Sequence, residues 1–232
     1  MTLLSKPAIL RHLHAGSILI DPFDPSNLGT NSYDVTLGKY CWREGSTHLY
    51  RRRHPLYNPY DQEQVQTLWE KDEAKPLDHF FDDDFIHRNK LYSSIGKDDL
   101  IILLDPGESI LAHTQEFVGS GSNSITTKMF ARSSTGRNFL HVCACAGLGD
   151  VGFNSIWTME IFNRSRYHSI PLVVGRRYAQ ISFFEVESVA DEDLYAGKYQ
   201  KVKSFEETKR SWKPEYMVPR MYMDREVKRA RS

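Results

Sequence analysis

Glu160 is the residue whose setting first suggests chemistry. It stands in an apolar run, Ile156-Trp157-Thr158-Met159-Glu160-Ile161-Phe162. Read as a strand, the run places Ile156, Thr158 and Phe162 on the face of Glu160, and Trp157, Met159 and Ile161 on the other. Both faces read as buried. Desolvation raises a carboxyl pKa toward neutrality, where the group works as a general base or acid. The competing reading is a buried structural acid paired with an arginine, with Arg137 the first candidate. Spacing alone leaves the two readings equal.

Upstream lies a polar hexad, Arg132-Ser133-Ser134-Thr135-Gly136-Arg137. Guanidiniums bind phosphate oxygens in a bidentate fork, and hydroxyls beside a permissive glycine suit close approach to an anion. As bare composition the hexad equally describes a polar turn. Asp150 lies between hexad and strand, in the turn Gly147-Leu-Gly-Asp-Val-Gly152. A loop acid beside a strand acid suits binding of a hydroxyl or a metal. Phe153 follows, placed to stack on a flat ring or to plug the core. Asp34 reads either as an acid near a site or as a satisfied acid at a turn.

Other groupings carry less. His141-x-Cys143-x-Cys145 has the look of part of a metal site, but a strand over Phe139–Ala146 puts all three on one face, and free cysteine packs as a small hydrophobe. Asp82-Asp83-Asp84 reads as a solvated run before a cation site. Gly119-Ser-Gly-Ser-Asn123 lacks the Lys-Ser/Thr ending of a phosphate-binding loop and reads as a turn.

These residues need a scaffold. The chain has 232 residues, 40% hydrophobic and 26% charged, which suits one domain with a sizeable core. Lys+Arg 30 balance Asp+Glu 30, against a general nucleic-acid binder. Three cysteines argue against a disulfide framework. No apolar run reaches the length of a membrane span and no signal-peptide core is seen, so the expectation is a cytoplasmic protein away from membranes. Leu4 to Ala15 predicts a short helix, with Ser5 as N-cap, Pro7 in the first turn and Gly16 as stop. Strands are expected over Ser17–Asp21, Asn31–Gly38, Leu100–Leu104, Ser109–His113, Phe139–Ala146, Ser155–Asn163 and Tyr178–Val186. Residues 43–97 change character and read as an insertion, with Arg51-Arg52-Arg53 and a short helix over Gln62–Lys71. After Gln200 the chain is charged and glycine-free. A helix is expected over Phe205–Trp212, in a tail at the periphery or against a neighbouring subunit, ending in the basic run Lys228–Arg231. Short strands and frequent turns predict a mainly β barrel or sandwich in one domain.

The motifs together resemble the dCTP deaminase family, the metal-free deaminases of the trimeric dUTPase fold. RSSxxR matches Arg132–Arg137. D-x-G-[FW] with a glutamate ten residues past the aspartate matches Asp150–Phe153 and Glu160. NSYD-x-x-LG matches Asn31–Gly38, IDPF matches Ile20–Phe23, and PGE-x-x-LA matches Pro106–Ala112. Gln-x-x-Phe matches Gln180–Phe183, and GKYQ matches Gly197–Gln200. The resemblance implies a dUTPase-like distorted barrel or jelly roll, with a short N-terminal helix and peripheral helices. It implies deamination of dCTP to dUTP, with Glu160 as general base, Ser133 holding the attacking water and Arg137 orienting the glutamate. Arg132, Ser134, Lys198 and Tyr199 would contact the triphosphate. Asp150 would hold the 3′-hydroxyl, Phe153 would pack on sugar or base, and Gln180 would belong to the site. Mg²⁺ would come with the triphosphate, and sites would lie between subunits of a homotrimer or hexamer. The turn Gly149-Asp150-Val151-Gly152, Ser155 and Val202 depart from the family pattern. The alternatives are a bifunctional deaminase–diphosphatase yielding dUMP, a dUTPase, a deaminase of a modified cytosine nucleotide, and a non-catalytic nucleotide-binding protein. The glycine-free tail disfavours a dUTPase. A zinc-type deaminase lacks its H-x-E and P-C-x-x-C signatures here.

Overall fold

Apolar alternation near the N-terminus and apolar runs further on fold into two sheets. The computed structural model describes residues 1–45, 56–144, 146–200, 202 and 204–224. Arg51–Arg53, Cys145 and Lys228–Arg231 lie outside them.

A two-residue strand β1 (Thr2–Leu3) precedes helix α1 (Lys6–His14), close to the expected span. Pro7 sits in the first turn, and Gly16 follows at φ 72°, a left-handed conformation that ends the helix at little cost in glycine. Strand β2 (Ile18–Asp21) leads to β3 (Tyr33–Glu44), which runs past its expected end at Gly38. The extension is tertiary in origin, because the later half of β3 acquires partners on both edges. A Cβ at Gly38 would lie 1.9 Å from the His113 ring, so glycine lets the ring tuck under the strand where the register shifts.

The insertion is ordered against this framework. Helix α2 (Gln62–Leu68) is capped by the Asp61 carboxylate, which accepts from the Glu63 and Gln64 amides. It ends short of the expected Lys71, because β4 (Trp69–Glu73) pairs antiparallel with Tyr40–Glu44. Strand β5 (Lys75–Pro76), helix α3 (Leu77–Phe80) and helix α4 (Asp83–Arg88) follow. Asp82 accepts from the Phe85 amide at 2.7 Å, and Asp83 and Asp84 occupy the first turn of α4. The acidic triplet thus caps a helix and complements its dipole.

Strand β6 (Leu100–Leu104) has its expected bounds, and β7 (Ser109–Ser120) is longer than expected. After β8 (Ile125–Ala131) the polar hexad forms helix α5 (Ser133–Arg137), where a turn was expected. The strand expected over Phe139–Ala146 is corrected to β9 (Leu140–Val142). Phe139 (φ 64°) and Cys143 (φ 61°) are left-handed and end the ladder on both sides. His141 is therefore exposed while Cys143 is buried, and the shared face expected of them does not form. Cys143 contacts the Met129 sulfur at 2.8 Å, and burial pushes its thiol up to about 12, which leaves it inert. Strands β10 (Leu148–Gly149), β11 (Asn154–Asn163), β12 (Ile170–Val173) and β13 (Arg177–Glu185) and helix α6 (Phe205–Ser211) complete the elements.

The principal sheet has the order β10-β8-β13-β3-β7-β11-β9, with β1, β2 and β4 added at β13, β7 and β3. It curls around a core that includes Tyr33, Val35, Leu37, Met159, Ile161, Ile181 and Phe183, all fully buried. A second sheet, β12-β6-β5, carries a satellite core of Leu77, Ile86, Ile95, Ile101 and Val173 under the insertion. The segment after Gln200, expected at the periphery or on a neighbouring subunit, runs along its own chain. Lys209 pairs with Asp21 at 2.6 Å, the Trp212 ring lies 5.0 Å from His113, and Trp42 Nε1 donates to the Pro214 carbonyl at 2.8 Å. No described helix is long and apolar enough to cross a membrane.

Candidate active site

Strand β11 presents one edge of a cavity of about 420 Å³. Met159 and Ile161 point into the core, as the alternation requires, but the other face is open. Thr158 and Glu160 are half-buried and Phe162 is exposed, so the expectation of two buried faces is corrected. A register shift between Ile156 and Thr158 against β7 turns the strand here and brings Trp157 to the cavity as well. Burial alone lifts the Glu160 carboxyl above its ordinary range. Among the described residues no hydrogen bond or ion pair reaches that carboxylate, and Arg137 does not pair with it. The structural-acid reading thus has no partner within the described part of the chain.

Asp150 and Phe153 reach the same cavity from the turn before β11. The Phe153 amide donates to the Asp150 carbonyl at 3.0 Å, and Gly152 takes φ 92°, which a side chain would strain. That tight turn aims the exposed Asp150 carboxylate into the opening. Phe153 stands edge-on to Trp157 and to Tyr195, at 5.2 and 5.5 Å between centroids, and forms an aromatic corner. Gln200 fixes the turn from behind. It accepts from the Asn154 amide at 2.8 Å and donates to the Gly152 carbonyl at 3.1 Å. The remaining wall comes from Leu111, Leu148, Ile156, Tyr199 and the tail residues Trp212, Tyr216, Met217 and Pro219. Two carboxylates in a largely apolar, aromatic-walled cavity suit a planar polar ring and a proton transfer to it.

The other expected site residues lie elsewhere on the chain. Ser133, Ser134 and Arg137 are exposed on α5, and none lines this cavity. Arg132 lines a second, open cavity of about 730 Å³ together with Arg176, Arg177 and Glu116. Its guanidinium pairs with Asp34 at 3.1 Å, and Arg177 reaches the same carboxylate at 3.3 Å. Asp34 is therefore a clamp between two arginines. Burial nevertheless outweighs the guanidiniums and holds its carboxyl above the ordinary range. Gln180, on β13 opposite Asp34 of β3, accepts from the Ser32 hydroxyl at 2.9 Å and lines neither cavity. Tyr199 faces the Glu160 cavity, whereas Lys198 pairs with Asp224 and does not line it. Sequence reasoning missed Trp157, Tyr195 and the four tail residues. Their aromatic and aliphatic types carry no chemical signature in a linear chain, and only packing gathers them.

The fold and the cavity define a candidate site on a curled β sheet, and comparison with known proteins gives the family of the chain. The dCTP deaminase-like family model matches residues 3–186. The chain belongs to the dCTP deaminase-like family. A protein from Nocardioides sp. named dCTP deaminase, dUMP-forming, is 28% identical over 197 residues, covering 85% of this chain and 87% of its own. One from Streptomyces griseus with the same name is 29% identical over 202 residues, covering 85% and 90%. The crystal structure of 2′-deoxycytidine 5′-triphosphate deaminase from Agrobacterium tumefaciens superposes with a TM-score of 0.51 at 15% identity. It covers 78% of this chain and 48% of that one, so the chain spans about half of that protein's length. The fold is mainly β and dUTPase-like, as the motifs implied.

Proposed function

We propose that the protein converts dCTP to dUMP by two successive hydrolyses in one site, deamination followed by release of pyrophosphate. The observation that carries this reading is the half-buried Glu160 carboxylate, without a partner among the described residues, in a cavity shared with Asp150. The relatives' printed names, both dUMP-forming, favour this alternative over dUTP as the end product. The expectation of dUTP release gives way accordingly.

In this reading Glu160 takes a proton from water as the oxygen bonds to C4 of cytosine. The proton passes to N3, the remaining proton of the new C4 hydroxyl is carried to the exocyclic nitrogen, and the C4–N bond breaks to release ammonia as the C4 carbonyl forms. The apolar walls keep the carboxylate basic enough for the first transfer. Asp150 holds the 3′-hydroxyl, which fixes the sugar and keeps the α-phosphorus in place for a second water. That attack forms a P–O bond and expels pyrophosphate. Phe153 packs on the sugar or base. Mg²⁺ enters on the triphosphate, as part of the substrate, and offsets its charge.

Ser133, Ser134 and Arg137 project from α5 into solvent, so we assign their roles to the site of an adjacent copy in a homotrimer. There Ser133 would hold the water, Arg137 would orient the partner's base, and Arg132 and Ser134 would contact phosphates. Gln180 supports this arginine side through Ser32. Lys198, paired with Asp224 outside the lining, would reach the phosphates from beside Tyr199.

The test is direct. Purified protein incubated with dCTP and Mg²⁺ is sampled by ion-exchange chromatography. dUMP and pyrophosphate should appear together without free dUTP. Accumulating dUTP would restore the monofunctional reading, and no turnover of any cytosine nucleotide would sink the catalytic one.

A further inference from the structure

The C-terminal segment brings four side chains to the Glu160 cavity: Trp212, Tyr216, Met217 and Pro219. All four are aromatic or aliphatic. The charged side chains of the same stretch are directed elsewhere. Lys209 pairs with Asp21 at 2.6 Å, Glu215 pairs with Lys71 at 3.1 Å, and Lys213 is exposed outside the lining. Arg220 donates to the Lys198 carbonyl, and its guanidinium lies 5.7 Å and 5.5 Å from the ring centroids of Tyr199 and Tyr216. The buried Arg220 cation is thus held by a carbonyl and two rings and does not line the cavity.

The segment is also anchored on the framework at several points. Trp42 on β3 donates to the Pro214 carbonyl, and Lys71 on β4 pairs with Glu215. The Trp212 ring packs at 5.0 Å from His113 and 6.5 Å from Phe117, both on β7. The insertion strand β4 therefore helps to set the position of a cavity wall. A segment that clamps phosphates presents cations or amide donors to them. This one presents rings and aliphatic carbon.

We propose that Trp212–Pro219 is a fixed specificity wall that packs on the uncharged part of the nucleotide, the pyrimidine and its deoxyribose, and takes no part in phosphate recognition. The proposal rests on the assignment of the Glu160 cavity to the nucleotide and deepens it. Its consequence is a separation of duties: the tail sets affinity for the nucleoside moiety, and discrimination by phosphate number belongs to the arginine side.

Binding of dCMP, dCDP and dCTP, each with Mg²⁺, tests this by calorimetry in a Glu160→Gln background. Trp212→Phe and Tyr216→Ala should weaken all three by a common factor, about three- to tenfold, with the ratio of dCTP to dCMP affinity unchanged. Trp42→Phe keeps every lining residue and removes only the anchor. It should act in the same direction, which serves if a lining variant folds poorly. A collapse of the dCTP to dCMP ratio in these variants would make the segment a phosphate clamp and overturn the proposal. Affinities unchanged in all three variants would do so as well, by removing the contact. If the Glu160→Gln protein itself binds no cytosine nucleotide, the assignment of the cavity fails and the wall falls with it. Normal binding with an altered ratio sinks the wall alone.

Discussion

Glu160 derives its character from a conflict between its neighbours and its charge. Strand propensity and the apolar run bury its backbone, while the open face of β11 leaves the carboxylate half-desolvated at a cavity edge. Replacing the carboxylate by an amide keeps the shape and removes the base. Glu160→Gln should lower deamination by about 10²- to 10⁴-fold while nucleotide affinity stays within a few-fold, read by steady-state kinetics and calorimetry. Retained turnover would remove Glu160 from the general-base role. The carboxylate must be ionised to act, and burial raises its pKa. Activity should therefore be full toward neutral pH and decline on acidification while the pH is still above the ordinary glutamate range, and a pH–rate profile checks this.

The elements around the site act through their anchors. His113 on β7 is buried between β3 and the tail, stacked 6.0 Å from Tyr40 and tilted at 45° to the Trp212 ring 5.0 Å away. Its Nε2 accepts from the Tyr40 amide at 3.2 Å, which assigns the ring proton to Nδ1 facing the Thr114 carbonyl at 2.7 Å. Burial lowers its pKa from 6.5, so the folded state resists protonation more than the unfolded chain does. The stability held in this way is fully present above 6.5 and is lost as the pH falls below it toward the lowered folded value. Thermal unfolding followed from about pH 7 to pH 5 should show a declining midpoint, and His113→Phe should flatten that slope in this window. An equal slope in both proteins would assign the pH dependence to other groups. The insertion enters the same account, since β4 holds Glu215 through Lys71.

At the scale of the whole molecule, the expected catalytic and substrate-binding residues divide into two groups on one chain. Glu160, Asp150 and Phe153 share a cavity, while Ser133, Ser134 and Arg137 stand exposed on α5. In the proposed homotrimer, a site shared between copies would join them. Mixing two inactive variants tests this, because Glu160→Gln keeps α5 and Ser133→Ala keeps the base. Unfolding and refolding the variants together should restore up to about a quarter of wild-type activity at equal mixing, as random assembly gives that share of intact sites. Mixtures as inactive as their components would place the complete site within one chain. Sedimentation of the wild type should accordingly give three copies or a multiple of three.

Short-range signals determined much of this protein from its sequence. Pro7 and Gly16 bounded α1, although the Ser5 side chain makes no capping hydrogen bond, alternation set the cores of β3 and β11, and the spacing of Arg132–Arg137, Asp150 and Glu160 carried the family. Those features depend on local conformation and on side-chain type, both of which a linear chain displays. Tertiary structure decided what depends on partners. Pairing with β4 and β7 extended β3 beyond Gly38, and left-handed Phe139 and Cys143 cut the expected strand to Leu140–Val142. The open face of Glu160 and the return of the tail onto its own cavity were equally hidden, because both depend on what packs opposite. A lone acid in an apolar run is visible in sequence. Whether it meets an arginine, a core or a cavity is fixed only when distant segments such as Trp212–Pro219 come to lie beside it.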